Sequence, residues 1–187
     1  MFIDFMRDKA RQMPTVANPL AVESLRIWHC SYKTLDSITM FQNLRTLAIA
    51  TFPDLSLEPI GTLAKLRHLR ILHLPKVVDL SPLANLAHLE TLSLEVLPSW
   101  DASRKKTIVN ALEPLAQMPN LKHLCLCGVV PVDRSLTPLE RCGSLVTALI
   151  HGYPRKETDR FFAASGMRKA HNPPLRLNDT VPQAAAG

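Results

Sequence analysis

The chain has 187 residues, 47% of them hydrophobic, which is enough for one domain with a sizeable core. Its formal net charge of +6 suggests nucleic-acid binding, but the cations are scattered along the sequence and form no single block. The chain has only six glycines and lacks a Gly-rich phosphate loop, H-E-x-x-H and G-x-S-x-G, so the common nucleotide-binding, zinc-protease and hydrolase classes are disfavoured.

The first 21 residues are predicted to form an N-terminal cap. Phe2, Phe5, Met6 and Met13 have the spacing of an amphipathic helix that ends before the first proline. Charged residues interrupt this segment where a signal peptide needs a continuous apolar run, and no later segment approaches the length of a membrane span. We therefore expect a cytoplasmic protein without a membrane contact. Delivery into another cell by a route that needs no cleaved signal stays open.

Residues 22–153 contain a recurring block of apolar positions. The block, L-x-[P/S]-[L/I]-x2-φ-x2-L-x2-[L/A]-x-[L/I]-x2-φ with φ any apolar residue, defines seven columns. Five blocks follow one another in steps of 22, 23, 32 and 24 residues and begin at Leu35, Leu57, Leu80, Leu112 and Leu136. Every column is apolar in all five blocks, and a half-block precedes them over residues 22–30. A period in this range predicts a solenoid of about six stacked repeats.

The two halves of each block have different periods. Leu92 and Leu94 alternate with polar residues, which is typical of a strand with one buried face. Leu80, Leu83 and Leu86 recur at every third residue, which favours a turn of 3₁₀ or α-helix. Four of these helical segments have a proline where a first turn tolerates a missing N–H, at Pro59, Pro82, Pro114 and Pro138. The sequence therefore predicts an α/β solenoid with a parallel sheet on its concave face.

Two segments carry the motifs of a known family. VESLRIWHC contains LxxLxLxxC, and LAHLETLSL contains LxxLxLxxL. Through these motifs the chain resembles leucine-rich repeat proteins over residues 22–153, and DLSPLANLAHLETLSL resembles the internalin-type repeats of bacteria. The resemblance implies a right-handed β/α horseshoe. Because leucine-rich repeats generally act in recognition, it also implies a non-enzymatic, protein-binding function without a cofactor.

The chain departs from the family at the bend after each strand. The family usually has Asn or Cys there, whereas this chain has that residue type only at Cys30, and the five full blocks end in apolar residues. An Asn side chain would satisfy backbone groups in the bend, so those groups need other partners here. We therefore expect irregular turns and uneven curvature.

The longest step between blocks contains an insertion at about residues 98–110. We expect this insertion to lengthen one outer helix, with Asp101 or Ser103 as its N-cap. Trp100 is expected to pack at the base of that helix in a structural role.

The residues after the last block are predicted to close the solenoid. Residues 154–170 indicate a C-terminal cap helix that begins near Thr158, buries Phe161 and ends at Gly166. Residues 171–187 have the composition of a disordered tail.

Strand alternation predicts which side chains point into the hollow of the solenoid. The candidate partner-binding residues on this face are Arg26, Trp28, His68, Arg70, Ser93, Glu95, His123, Cys125, Cys127 and His151. Trp28 beside Arg26 is typical of an interface anchor, and the alternative is that an N-terminal cap covers it. The face has two arginines and one glutamate, so it lacks the dense positive stripe that phosphate binding needs.

Two alternative functions stay open, although we expect neither a metal nor an enzyme. His123, Cys125, Cys127 and His151 lie within reach of one another and could hold zinc or form a Cys–His nucleophile. Against this, the two sulfurs of C-x-C on a straight strand should lie about 6.6 Å apart, which is wide for a tetrahedral site. Nucleic-acid binding is the second alternative, through basic clusters at Arg104, Lys105, Lys106, Arg155, Lys156, Arg160, Arg168 and Lys169.

The four cysteines form no recognisable disulfide framework. Cys30 and Cys142 occupy apolar columns of the repeat, and Cys125 and Cys127 are too close along one strand to pair easily. We expect four reduced thiols.

Overall fold

The computed structural model describes residues 1–177. The strands are β1 (Phe2–Met6), β2 (Ser24–Trp28), β3 (Thr46–Ala50), β4 (His68–Leu72), β5 (Thr91–Glu95), β6 (Thr107–Val109), β7 (His123–Cys127), β8 (Val129–Pro131), β9 (Thr147–His151) and β10 (Arg168–Lys169). The α-helices are α1 (Glu58–Gly61), α2 (Pro98–Ala102), α3 (Glu113–Ala116) and α4 (Arg155–Ser165). Short 3₁₀ helices span Pro19–Ala21, Asp36–Met40, Ser81–Asn85 and Thr137–Arg141.

Eight of these strands form one parallel sheet. Their order is β1-β2-β3-β4-β5-β7-β9-β10, so the strands of consecutive repeats are neighbours. The register places equivalent columns side by side, as Leu47 opposite Leu69 and Leu69 opposite Leu92 show. β6 and β8 form a separate two-stranded parallel sheet. The predicted α/β solenoid with a parallel sheet is confirmed.

The helical half of each full repeat is a single short turn. Pro59, Pro82, Pro114 and Pro138 all stand at the first or second helical position, where an N–H has no partner within the helix. The fixed φ of proline therefore starts each turn without the loss of a hydrogen bond.

The apolar columns form one continuous core. Side chains of the five blocks and of the half-block are buried, with three half-buried exceptions in the last column, Cys30, Leu97 and Tyr153. Leu97 lies where the insertion begins, and Tyr153 closes the last repeat and donates its hydroxyl to the carbonyl of Val129 at 2.9 Å. Each fully buried leucine contributes about 1.5–3 kcal/mol through its removal from water, so neighbouring coils stabilise one another.

The bends after the strands are regular, and the expectation of irregular turns is wrong for most of them. His29, Thr51, His73, Gly128 and Gly152 directly follow their strands, and all have positive φ. The bend N–H of the first four donates to a carbonyl of the next strand, at 3.2 Å from His29 to Ala50 and 2.7 Å from Thr51 to Leu72. The main chain thus satisfies its own polar groups without an Asn side chain.

Val96 is the exception among the bends, because it has no positive φ. Its N–H still donates to the carbonyl of Cys127, at 2.9 Å. A Cβ on Gly128 would lie 2.4 Å from Val96 Cγ2, so this close approach of two repeats requires glycine.

The N-terminal segment is a strand, so the predicted amphipathic helix is wrong. β1 pairs in parallel with β2, with Phe2 opposite Ser24 and Met6 opposite Trp28. The spacing of Phe2, Phe5 and Met6 suits a helix locally, but pairing with β2 satisfies the exposed edge of the sheet with backbone hydrogen bonds.

The insertion also differs from its prediction. It contains the five-residue helix α2 and the strand β6, which pairs with β8, in place of one long helix. Leu97 is the N-cap of α2, and Ser103 is its C-cap. Trp100 packs edge-on against His73, with ring centroids 4.6 Å apart. This contact agrees with the structural role expected for Trp100.

The C-terminal helix α4 begins at Arg155, earlier than Thr158, and ends at Ser165, with Gly166 as its C-cap in the left-handed conformation. Phe161 is fully buried in the core. The tail expected to be disordered has a defined path through 171–177, whereas 178–187 lie outside the described residues. The division into cap, repeat and tail regions at 1–21, 22–153, 154–170 and 171–187 stays a prediction.

Within residues 1–177, no helix has the length and apolar character needed to cross a membrane.

Candidate functional site

The strand register brings the predicted outward-pointing side chains into three rows, which we call the open face. The first row is Ser24, Thr46, His68, Thr91, His123 and Thr147. The second is Arg26, Ala48, Arg70, Ser93, Cys125 and Leu149, and the third is Trp28, Ala50, Leu72, Glu95, Cys127 and His151. All ten candidate binding residues therefore lie on one surface. Whether they bind a partner stays a prediction.

Trp28 is half-buried on β2, and β1 places Met6 directly opposite it. The guanidinium carbon of Arg70 lies 5.9 Å from the centroid of the Trp28 ring, across the intervening strand β3. The small residues Ala48 and Ala50 on β3 leave space for this contact. Arg70 and Trp28 thus form a cation–π pair, which fixes the orientation of the indole on the open face.

The charges of the open face are paired. Arg70 binds the carboxylate of Glu95 with both Nε and Nη2, at 2.9 and 3.1 Å, and Ser93 donates its hydroxyl to the same carboxylate at 2.6 Å. Arg26 binds Asp4, which β1 places directly opposite it. The sequence prediction missed Asp4 because it assigned this segment to a helix. The face therefore presents no uncompensated positive stripe.

Cys125 and Cys127 are in direct contact, with 3.4 Å between their sulfurs. The expected separation of about 6.6 Å is wrong, because both side chains lean towards each other along the strand. The hydrogen bond shared by the two sulfurs lowers the pKa of the Cys125 thiol, and the same contact together with burial raises the pKa of Cys127. The two thiols are therefore coupled, so that ionisation of one disfavours ionisation of the other.

The metal alternative does not have the geometry it needs. His123 contacts the Thr147 hydroxyl at 2.8 Å, and His151 faces Asp101 at 3.2 Å, so each imidazole has a partner other than the two thiols. Among residues 1–177, no three His, Cys, Asp or Glu side chains are grouped so that they could hold a metal ion.

The basic clusters meet at one end of the molecule. Arg104 and Lys106 from the insertion line an open cleft of about 980 Å³ together with Arg155 and Lys169 from the C-terminal region. Asp101 and Asp159 line the same cleft, so its positive charges are interrupted by carboxylates. This arrangement lacks the continuous positive track of a nucleic-acid site.

Residues 171–177, which we call the C-terminal strap, lie over the open face. Asn172 Nδ2 donates to the carbonyl of Leu92 at 2.8 Å. The strap lines one cavity of about 620 Å³ together with Arg26, Trp28 and Arg70. The sequence carries no periodic signal for this contact, since the strap contributes nothing to the repeated core.

Comparison with solved structures shows the class of fold. An internalin, InlF, from Listeria monocytogenes has a TM-score of 0.50 and 20% identity, over 78% of this chain and 46% of that chain. Internalin C2 of the same organism has a TM-score of 0.42 and 22% identity, over 73% and 66% of the two chains. No family model and no curated protein matches the chain.

The parallel sheet, the proline-started turns and the buried columns define a leucine-rich repeat fold. The similarity to InlF agrees with this fold, and the predicted resemblance to internalins is confirmed at that level. The chain spans about half the length of InlF, so this likeness concerns architecture alone.

Proposed function

We propose that this chain is a non-enzymatic protein-binding module whose partner contacts the open face, the side of the sheet expected to be concave. The observation that carries the proposal is the contrast between rows: core columns repeat the same aliphatic residues, whereas the open-face rows change from strand to strand. A repeat needs its core residues for stacking, so variation on the open face is available for recognition.

The chemistry of the open face supports a protein partner. A fixed tryptophan, an arginine–glutamate pair and half-buried Leu72 and Leu149 combine aromatic, charged and apolar groups. Tryptophan and arginine are the residue types that most often dominate binding energy at protein interfaces. Its paired charges favour a protein over a polyanion such as DNA or RNA.

The thiols support a reducing location. Cys30, Cys125, Cys127 and Cys142 are free cysteines. Free thiols of this kind are typical of cytosolic proteins, so we propose the cytoplasm as the compartment.

Site-specific photo-crosslinking tests the proposed function. A photo-crosslinking amino acid is placed at Leu72 on the open face and, as a matched control, at the exposed Ala64 in the turn that follows α1. The proposal predicts that one protein crosslinks specifically from position 72 and not from position 64.

Direct binding to the purified partner then measures the contribution of the face. We expect Leu149→Lys to weaken binding at least about tenfold in isothermal titration, because it buries a charge in an apolar contact, whereas Ala64→Lys leaves it unchanged. Equal binding by both variants would overturn the proposed function.

A further inference from the structure

The C-terminal strap crosses several strands of the open face. The chain leaves β10, which pairs with β9, and Asn172 then reaches the backbone of β5 beyond β7. Further along, Leu175 and Leu177 line the cavity that also contains Trp28. The strap therefore runs from the C-terminal end of the sheet back towards β2.

The strap binds the sheet without becoming a strand. The last backbone hydrogen bond that joins this region to the sheet, within residues 1–177, runs from Ala170 N–H to the carbonyl of Ala148. Pro173 and Pro174 have no N–H to satisfy and hold the backbone extended, and Asn172 supplies a side-chain donor. The contact is therefore that of an extended proline-containing peptide in a groove.

The low exposure of side chains at the centre of the open face agrees with the position of the strap above them. Ser93 and Cys125 point away from the core, yet only 6% and 5% of their surfaces are exposed. Both line the same cavity as the strap. The centre of the face is thus already occupied within the chain.

One buried polar atom of the strap lacks a hydrogen-bond partner among the described residues. Asn172 Nδ2 has its partner in Leu92, but Asn172 Oδ1 is buried and has no hydrogen-bond partner among the described residues. A buried acceptor without a donor destabilises the closed arrangement. A ligand that donates to the same carbonyl and leaves no such atom unpaired would bind this groove better than the strap does.

We propose that the open face is a groove for an extended, proline-containing peptide segment of the partner protein, and that the strap occupies this groove as an internal competitor. This inference rests on the proposed function and names the chemistry of its partner. The partner segment carries a side-chain donor for the Leu92 carbonyl, followed by prolines and aliphatic residues that reach the Trp28 cavity.

The short tether makes the competition effective. A single residue, Ala170, separates β10 from the strap. A short tether gives an effective concentration in the millimolar range, so a partner segment of comparable intrinsic affinity must displace a largely bound strap. Release of the strap should therefore strengthen binding of an external peptide.

The test uses the full chain and a defined probe. The probe is a fluorescein-labelled synthetic peptide, acetylated and amidated at its ends, with the sequence AHNPPLRL of residues 170–177. In the variant Asn172→Asp, a carboxylate faces the Leu92 carbonyl, and the two acceptors repel each other. The matched control is Asn120→Asp, which removes an equivalent amide bond to the carbonyl of Ala87 at a turn.

Two measurements report on the groove. Fluorescence anisotropy should give a Kd for the probe that is on the order of tenfold lower with Asn172→Asp than with the wild type, as expected when a tethered competitor is released. Iodoacetamide should alkylate Cys125 several-fold faster in Asn172→Asp, because the strap no longer covers it. Asn120→Asp should change neither quantity, and buried Cys142 is the internal reference for folding.

The outcomes separate this inference from the proposed function. Equal probe affinity and equal Cys125 alkylation in Asn172→Asp and the wild type would overturn the inference. So would probe binding that Leu149→Lys leaves unchanged, since the probe would then lie elsewhere. A protein partner that crosslinks from position 72 but binds the wild type and Asn172→Asp equally well would leave the proposed function standing and the inference refuted.

Discussion

The two faces of the main sheet follow different rules. On the core face, neighbouring strands place leucine or isoleucine opposite leucine, as Leu69 lies opposite Leu92 and Ile71 opposite Leu94. On the open face, the same two strands place Arg70 opposite Ser93 and Leu72 opposite Glu95. Stacking constrains the first face in every repeat, whereas the second tolerates changes. Stability should therefore depend on one face and recognition on the other.

Two adjacent residues on β4 give the strongest test of this comparison. Ile71 is fully buried and Leu72 half-buried on the open face. We expect Ile71→Ala to lower the free energy of unfolding by about 2–5 kcal/mol, since it leaves a cavity in the core. Leu72→Ala should cost at most about 1 kcal/mol. Urea denaturation of both variants measures the difference, and equal losses would contradict the division between faces.

Gly128 tests whether the bends need close contact between repeats. Gly128→Ala should cost about 1–3 kcal/mol, because φ there is +74° and the new Cβ would meet Val96. Gly143→Ala is the control, since a Cβ at Gly143 meets nothing within 4 Å. Thermal unfolding distinguishes the two. A harmless Gly128→Ala would show that the bend adjusts freely.

The Arg70–Glu95 pair gives a smaller effect, because both side chains are partly solvated. A double-mutant cycle with alanine should give a coupling energy of about 1 kcal/mol or less, decreasing with salt. The exposed pair Arg155–Asp159 on α4 serves as the reference and should show less coupling. Stronger coupling in the reference pair would mean that the open face adds nothing to the arginine–glutamate contact.

The smallest expected effect is a loss of stability in mild acid. Burial lowers the pKa of His73, helped by the charge of His29, and burial also lowers the pKa of His123. As pH falls below the ordinary histidine value of 6.5, the unfolded chain takes up these protons before the folded chain does. The stability present above pH 6.5 is therefore lost as pH falls through that value towards the folded pKa.

Melting temperatures at pH 7.5 and 5.5 measure this loss. The variant His73→Asn keeps a residue that tolerates the φ of +70° at this bend and should reduce the difference between the two temperatures. If the difference between the two melting temperatures is the same in His73→Asn as in the wild type, protonation of His73 does not cause the loss of stability in acid.

Local periodicity was sufficient to predict the repeat architecture. The columns around Leu92 and Leu94 predict both the strand and its buried side, since an alternating pattern allows a single orientation of the strand. The rows of the open face follow from the same alternation. The alternation therefore also predicts that the ten candidate binding residues lie on one surface of the sheet.

Contacts between distant segments account for the errors. Phe2, Phe5 and Met6 fit a helix when considered alone, and only the free edge of β2 makes them a strand. Thr107–Val109 pair with β8, which no spacing within the insertion indicates. The side chain of Asn172 donates to the carbonyl of Leu92, which lies eighty positions earlier in the sequence. This hydrogen bond therefore depends on the completed sheet.

Hydroxyl-radical footprinting of the complex with the crosslinked partner tests the central claim most directly, because it reports on individual side chains and so separates the two sides of the solenoid. The account predicts that partner binding reduces the oxidation of Trp28, Leu72 and His151, while Leu55 and Lys65, exposed away from the open-face rows, are oxidised as in the free protein. Protection of Leu55 and Lys65 with unchanged oxidation of Trp28 and Leu72 would contradict it.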